Sequence, residues 1–263
     1  MKTSRSFKPG PDRFALARGD RETALRQTRN RLILEGAWKV FARDGLDGAT
    51  MRAIALEAGC TTGAIYPLFP SKEAIYAALL AESLQRLFHH VSAAVEGQQG
   101  SAPRLRAGAL AFVDYYRARA DEVTLGLYLW HGVRPQGLSR DLDSELNRRL
   151  GDTLALLQTN IDGVASAFSS EVGTGSREEN ASKQKTRAPF RFHRNGEGSR
   201  QKPGTARHEV AALFAFLIGA LVVNQTGRLK TLGSSLDGIV ELHIEALTDR
   251  LQTSPGTNAV RSP

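Results

Sequence analysis

Residues 50–72 constrain this chain more than any other stretch. Thr50 can cap a short segment with Ile54, Ala55 and Ala58 on one face, and Gly59 stops it. Thr61 can cap a second segment that meets Pro67 about six positions later, where the missing amide and the ring must end a helix near Tyr66. Two short helices joined by Gly59-Cys60-Thr61 form a helix-turn-helix motif over 50–69, the arrangement that lays one helix in a DNA groove while the other crosses the backbone.

The flanking segments are also helical in pattern. Before the motif, Ile33, Ala37, Val40 and Phe41 recur at helical spacing in a helix that begins near Leu25, and Gly45 supplies a closing residue tolerant of positive φ. After it, Ser71 caps a long helix to about Val95 with Ile75, Leu79, Leu80, Ser83, Leu84, Leu87 and Val91 as its stripe. Further helices are predicted at about 103–119, 121–132, 139–168, 207–226 and 234–251, with Pro135 and Gly137 marking the sharpest turn and no competing strand pattern. The expected fold is all-α: an N-terminal three-helix DNA-binding domain over 27–87, then a larger helical domain over 88–252. Residues 1–24 read as a disordered basic arm, 169–206 as a mobile insertion rich in Gly, Ser and charge, and 253–263 as a disordered tail.

Charge is unevenly placed. The formal net charge is +8, yet residues 1–31 hold nine Lys/Arg against three Asp/Glu and residues 170–206 hold eight against four. Within residues 32–72 Lys39, Arg43, Arg52 and Lys72 are offset by Glu35, Asp44, Asp47 and Glu57, so this stretch is neutral and the arm is the source of general attraction to phosphate. The mixed-charge insertion reads as solvated. A single cysteine, Cys60, excludes an internal disulfide and reads as a small packing residue rather than a thiol sensor, which fits a reducing cytoplasm. His89 and His90 point in different directions on one helix with no second ligand pair, so neither a metal nor another cofactor is expected. The most apolar run, 210–223, is fourteen residues where a bilayer span needs about twenty, and no signal-type segment leads the chain. No nucleophile, base and orienting group stand at recognisable spacing, so an enzyme is not expected.

Ile33, Ala37, Phe41, Gly45, Thr50, Ile54-Ala55, Ala58-Gly59, Gly63, Ile65-Tyr66, Phe69 and Ser71-Lys72-Glu73 together resemble the DNA-binding domain of the TetR/AcrR family of bacterial transcriptional repressors, over residues 27–87. Beyond it the chain resembles the family in plan, and Glu145-Leu146-Asn147-Arg148-Arg149-Leu150 looks like many of the family's regulatory domains. The resemblance implies a cytoplasmic, homodimeric repressor of double-stranded DNA, released from a pseudo-palindromic operator by a small-molecule inducer; an activator, or a regulator with no ligand, is the alternative. The two last helices, 207–226 and 234–251, would form the dimer, and the wide apolar circumference of the first of them independently asks for a partner surface.

By position, the resemblance places Arg52, Thr62 and Ala64 toward base edges and Thr50, Thr61, Tyr66 and Lys72 toward phosphates, with Gly63 a further DNA-binding position. Where the family often has an aromatic residue or histidine followed by His, this chain has Pro67-Leu68, which removes one contact to DNA. Phe112, Tyr115, Tyr116, Tyr128, Trp130 and His131 read either as the lining of an inducer cavity or as plain core.

Overall fold

A computed structural model describes residues 13–126, 138–171 and 206–253. Among them every regular element is helical and no strand occurs: α1 (Arg13–Gly48), α2 (Met51–Glu57), α3 (Thr62–Ile65), α4 (Lys72–Glu96), α5 (Ser101–Arg117), α6 (Ala120–Gly126), α7 (Arg140–Glu171), α8 (Ala206–Gln225), α9 (Arg228–Thr231) and α10 (Leu236–Thr253). The described chain forms two compact units that divide at Leu79 and Leu80, within α4.

The first unit is built on the apolar stripe of α1. Ile33, Ala37, Val40 and Phe41 are fully buried, as are Ile54 and Ala55 of α2, Ile65 of α3 and Ile75 and Tyr76 of α4, with α1 packed on α2 and α2 on α3. Each large apolar side chain so buried contributes roughly 1.5–3 kcal/mol. Phe41 and Tyr76 pack edge to face with ring centroids 5.2 Å apart. Gly36 permits the closest helix crossing: a Cβ there would lie 2.8 Å from the backbone nitrogen of Ala58. Gly45, at φ 68°, interrupts α1 where the sequence predicts its close, and residues 46–48 add a further turn.

The start of α1 differs from expectation. Residues 13–24 were predicted as part of a disordered arm but belong to the helix; residues 1–12 lie outside the described residues. The reason is that a helix nucleated by the buried stripe extends without a second nucleation cost, and residues 13–31 contain no proline and one glycine. Residues 20–29 remain exposed, so the extension has no core of its own.

In the second unit α5 is the central element, packed against α7, α8 and α10. Its buried face runs through Leu105, Ala109, Phe112, Val113, Tyr115 and Tyr116, and α10 sets Leu236, Val240, Ile244 and Leu247 into the same core. Gly108 lets α5 approach its neighbours, since a Cβ there would lie 2.8 Å from Leu157 and 3.0 Å from Val95. Ion pairs lace the rim: Arg117 with Asp237 at 2.8 Å, Arg250 with Glu209 at 2.8 Å, and Arg106 with Glu241.

Helix α8 corrects the length reading. Its Arg207–Gln225 segment spans 19 residues at a mean hydropathy of 1.5, long and apolar enough on those grounds alone to cross a bilayer. Counting the uninterrupted apolar run missed this because Arg207, His208 and Glu209 lie within the same helix. Val210, Leu213, Leu217 and Leu221 bury one side of α8 in the core. The expected helix at 121–132 is described only as α6; of the expected insertion residues 169–171 extend α7 and residue 206 begins α8, Thr253 ends α10, and residues 172–205 and 254–263 lie outside the described residues. Short α9, with Leu229 buried, was not anticipated.

Candidate nucleic-acid interface

The turn of the motif closes as its residues predict. Gly59 sits at φ 66°, its amide donates to Leu56 O at 3.2 Å and the Cys60 amide donates to Ala55 O at 2.9 Å, the paired bonds of a Schellman cap. Nothing lies within 4 Å of a Cβ at Gly59, so the backbone conformation alone calls for glycine. Cys60 is half-buried.

Thr50 caps α2 through its hydroxyl, which accepts from the Ala53 amide at 3.1 Å. Thr61 does not act in the same way: it precedes α3 in extended conformation but makes no side-chain cap bond, and its carbonyl instead accepts from Ala64 at 3.0 Å. Helix α3 stops at Ile65, with the Leu68 and Phe69 amides both donating to Ile65 O at 2.8 and 2.9 Å. The early stop required by Pro67 is therefore present. Buried Ile65 and Phe69 anchor this segment from one side, leaving Thr61, Gly63 and Tyr66 exposed and Thr62 and Ala64 half-exposed on the other.

The cations of the first unit divide into paired and unpaired groups. Lys39 bonds Glu57 at 3.1 Å and Arg43 bonds Asp44 at 2.9 Å, so both are committed within the fold. Arg52, exposed on α2, has no ion-pair partner among the described residues, and neither have Arg21, Arg26 and Arg29 on the α1 extension. Lys72 departs from its expected duty: its ammonium donates to the carbonyls of Asp47 and Ala49, each at 3.0 Å, and so ties the start of α4 to the loop before α2. Two of its three donors are thus occupied, and its first role is positional.

The second unit holds a feature that the sequence reading missed. The buried Glu122 carboxylate accepts from the Ser83 hydroxyl at 2.5 Å and from Arg86 at 2.9 Å. The Tyr115 hydroxyl, 2.5 Å from the same carboxylate, donates to it and lies 3.0 Å from Ser83 O. Burial, with Glu122 alongside, pushes the Tyr115 hydroxyl above the ordinary phenol range and keeps it a donor. The available signal was Ser83, a polar residue in the middle of the apolar stripe of α4.

A cavity of about 70 Å³ lies in this unit between α4, α5, α6, α7 and α8. Of the aromatic cluster proposed from sequence, Tyr116 lines it, whereas Phe112 and Tyr115 are core residues beside it; Tyr128, Trp130 and His131 lie outside the described residues. Leu80, Leu84, Val123, Gly126 and Phe214 supply much of the wall and were not anticipated. Among the described residues no group of three or more His, Cys, Asp or Glu could hold a metal, His89 and His90 included.

A helix-turn-helix with an exposed second helix and unpaired arginines defines a DNA-binding protein. The family described as bacterial regulatory proteins, tetR family, matches residues 33–79. The HTH-type transcriptional repressor AcnR of Corynebacterium glutamicum is 30% identical over 186 residues, covering 64% of this chain and 93% of that protein. The HTH-type nicotine-responsive transcriptional repressor HdnoR of Paenarthrobacter nicotinovorans is 27% identical over 134 residues, 48% of this chain and 67% of that protein. In fold, the chain is similar to a crystal structure of a tetR-family regulatory protein from Rhodococcus RHA1, with a TM-score of 0.60 and 18% identity over 86% of this chain and 98% of that one. The chain belongs to the TetR family, and it is a DNA-binding transcriptional regulator.

Proposed function

We propose that the protein is a homodimeric repressor that occupies a pseudo-palindromic operator and leaves it when a small molecule binds the helical unit. The observation that carries this reading is the exposed α2–α3 surface, on which Arg52 has no partner among the described residues and Tyr66 is 54% exposed although the apolar residues Ile65 and Phe69 are buried. Helix α3 enters the major groove; Arg52, Thr62 and Ala64 face base edges, Thr50, Thr61 and Tyr66 hold phosphates, and Gly63 lies against the DNA between them. Lys72 contributes its remaining donor. Arg21, Arg26 and Arg29 on the α1 extension add attraction that does not depend on sequence. The protein acts in the cytoplasm, where its operator is.

Selection of bound fragments from genomic DNA tests this directly. Arg52→Ala should cost about 1–3 kcal/mol on the selected site and relax base preference, while Tyr66→Ala should weaken all duplexes by similar factors. An Arg52→Ala protein that selects the parent's site with the parent's affinity would remove Arg52 from base reading.

Dimerisation rests on α8 and α10. The side of α8 away from the core presents Ala211, Ala212, Ala215 and Gly219, all exposed, and a Cβ at Gly219 would meet nothing within 4 Å. On α10, Leu242 is 67% exposed. A second copy covers this small-residue face and buries Leu242. In sedimentation measurements, combining Ala215→Glu with Leu242→Glu should give a monomer of unchanged helical content, because neither side chain packs in the single chain. A double variant that stays dimeric at micromolar concentration would place the interface elsewhere.

Release follows as a population shift in which the effector binds better to the form whose two α3 helices are wrongly spaced for DNA. That the similar repressor HdnoR is nicotine-responsive supports a small-molecule input.

A further inference from the structure

The aromatic residues beside the cavity are not equivalent. Phe214, Phe112, Tyr116 and Tyr115 form a chain of edge-to-face contacts with centroid separations of 6.1, 5.2 and 5.1 Å. The Tyr115 hydroxyl is occupied by Glu122 and Ser83. Tyr116 is only 5% exposed, lines the cavity, and its hydroxyl has no hydrogen-bond partner among the described residues. Among the described residues the one fully enclosed side-chain polar atom without a hydrogen-bond partner is Thr153 Oγ1, so the Tyr116 hydroxyl is not sealed in the core but stays open to the space it lines, free to bond what enters there.

The rest of the lining narrows what that partner can be. Leu80, Leu84, Val123, Phe214 and Ile218 are apolar, no Lys, Arg, His, Asp or Glu among the described residues faces the space, and the other polar side chain, Asn147, is exposed. A charged group brought here would lose its hydration with nothing in exchange. At about 70 Å³ the space is roughly half the engineered cavity of about 150 Å³ that admits benzene, so entry of a single ring needs adjustment of the half-buried Phe214 and Ile218. Gly126 keeps part of the wall open, since a Cβ there would stand at ordinary contact distance, 3.8 Å, from Leu80.

We propose that this cavity takes a compact, uncharged, mostly apolar molecule with one hydrogen-bonding oxygen or nitrogen, and that the Tyr116 hydroxyl is its polar anchor. The proposal rests on the helical unit being the effector domain and assigns that site its ligand class. Burial pushes the Tyr116 hydroxyl well above the ordinary phenol range, so it stays protonated and donates to an acceptor on the ligand. Because the hydroxyl makes no bond in the fold, Tyr116→Phe preserves the packing and removes only the anchor.

Phenol, benzene and benzoate serve as probes, with binding measured by calorimetry on the full chain without DNA. The parent protein should bind phenol more tightly than benzene, and benzoate at least about tenfold more weakly than phenol. Tyr116→Phe should weaken phenol about 3- to 10-fold and leave benzene within about twofold, the scale of one neutral hydrogen bond. Gly126→Val should weaken both rings by filling the wall. Benzoate binding as tightly as phenol, no phenol binding up to millimolar concentration, or a Tyr116→Phe protein with the parent's phenol affinity would each overturn the proposal. Release of DNA by phenol is read in a separate assay and bears on the effector reading alone, so the two cannot fail as one.

Discussion

Replacing Gly36 by alanine should disable the DNA-binding unit although the residue is buried in the crossing of α1 and α2. Its new Cβ would lie 2.8 Å from Ala58 N and 3.1 Å from both Ala58 Cα and Cβ, so the obstruction is mostly backbone and cannot rotate away. Helix α2 would have to move off α1 and carry the turn at Gly59 with it. Overpacking of this kind costs about 1–3 kcal/mol, and a bulkier Gly36→Val should exceed that range. The check is a thermal melt followed by circular dichroism together with operator affinity. Gly48→Ala is the control, because its Cβ would stand 3.4 Å from the Asp44 side chain and can be accommodated. A Gly36→Ala protein with the parent's melting temperature and affinity would show that the crossing has slack.

The second large effect should come from Glu122→Ala. The substitution leaves the Ser83 hydroxyl without its acceptor and takes the carboxylate from both Tyr115 and Arg86. Arg86 is half-exposed and can turn to water, so the loss falls mainly on the two buried hydroxyls. Each buried group left unsatisfied costs about 1–3 kcal/mol, and some of this is recovered by the Tyr115 hydroxyl's nearby Ser83 carbonyl. A total of about 2–3 kcal/mol in urea unfolding is expected. Glu122→Gln should lose less, since the amide oxygen still accepts but its NH₂ then faces Arg86. If Glu122→Ala unfolded within 0.5 kcal/mol of the parent, an estimate at the floor of what a buried network should hold, the network would be decorative.

Much of the first unit can be derived from local chemistry. Thr50, Gly59 and Pro67 act through caps, positive φ and a missing amide, which are properties of single residues, and each stands where the residue type requires. Lys72 shows where that kind of argument ends: position and charge point to phosphate, while the distance of its ammonium from Asp47 O and Ala49 O is a matter of tertiary structure. Gly36 was invisible for the same reason, being an isolated glycine within a helical pattern whose purpose is the approach of a segment more than twenty residues away. In the second unit the helical stripes were legible, but not which aromatic residue would line a space and which would be occupied. Tyr115 and Tyr116 are adjacent and chemically identical; Glu122 and Ser83 distinguish them. The helical start of α1 was missed because basic composition says little about a segment that continues a helix already nucleated.

The four residues of α3 set a ceiling on what one copy can recognise. Gly63 has no side chain and Ala64 only a methyl, so a single copy has few atoms with which to tell one base pair from another, and many stretches of a genome would satisfy it about equally. A pair of copies held at fixed spacing multiplies two modest preferences into one strong one, because a chance match must then occur twice, in register and in opposite orientation. In the proposed homodimer regulatory precision would therefore be a property of how its copies are joined, and selection for a new target site could act through half-site spacing as readily as through the residues that face the bases.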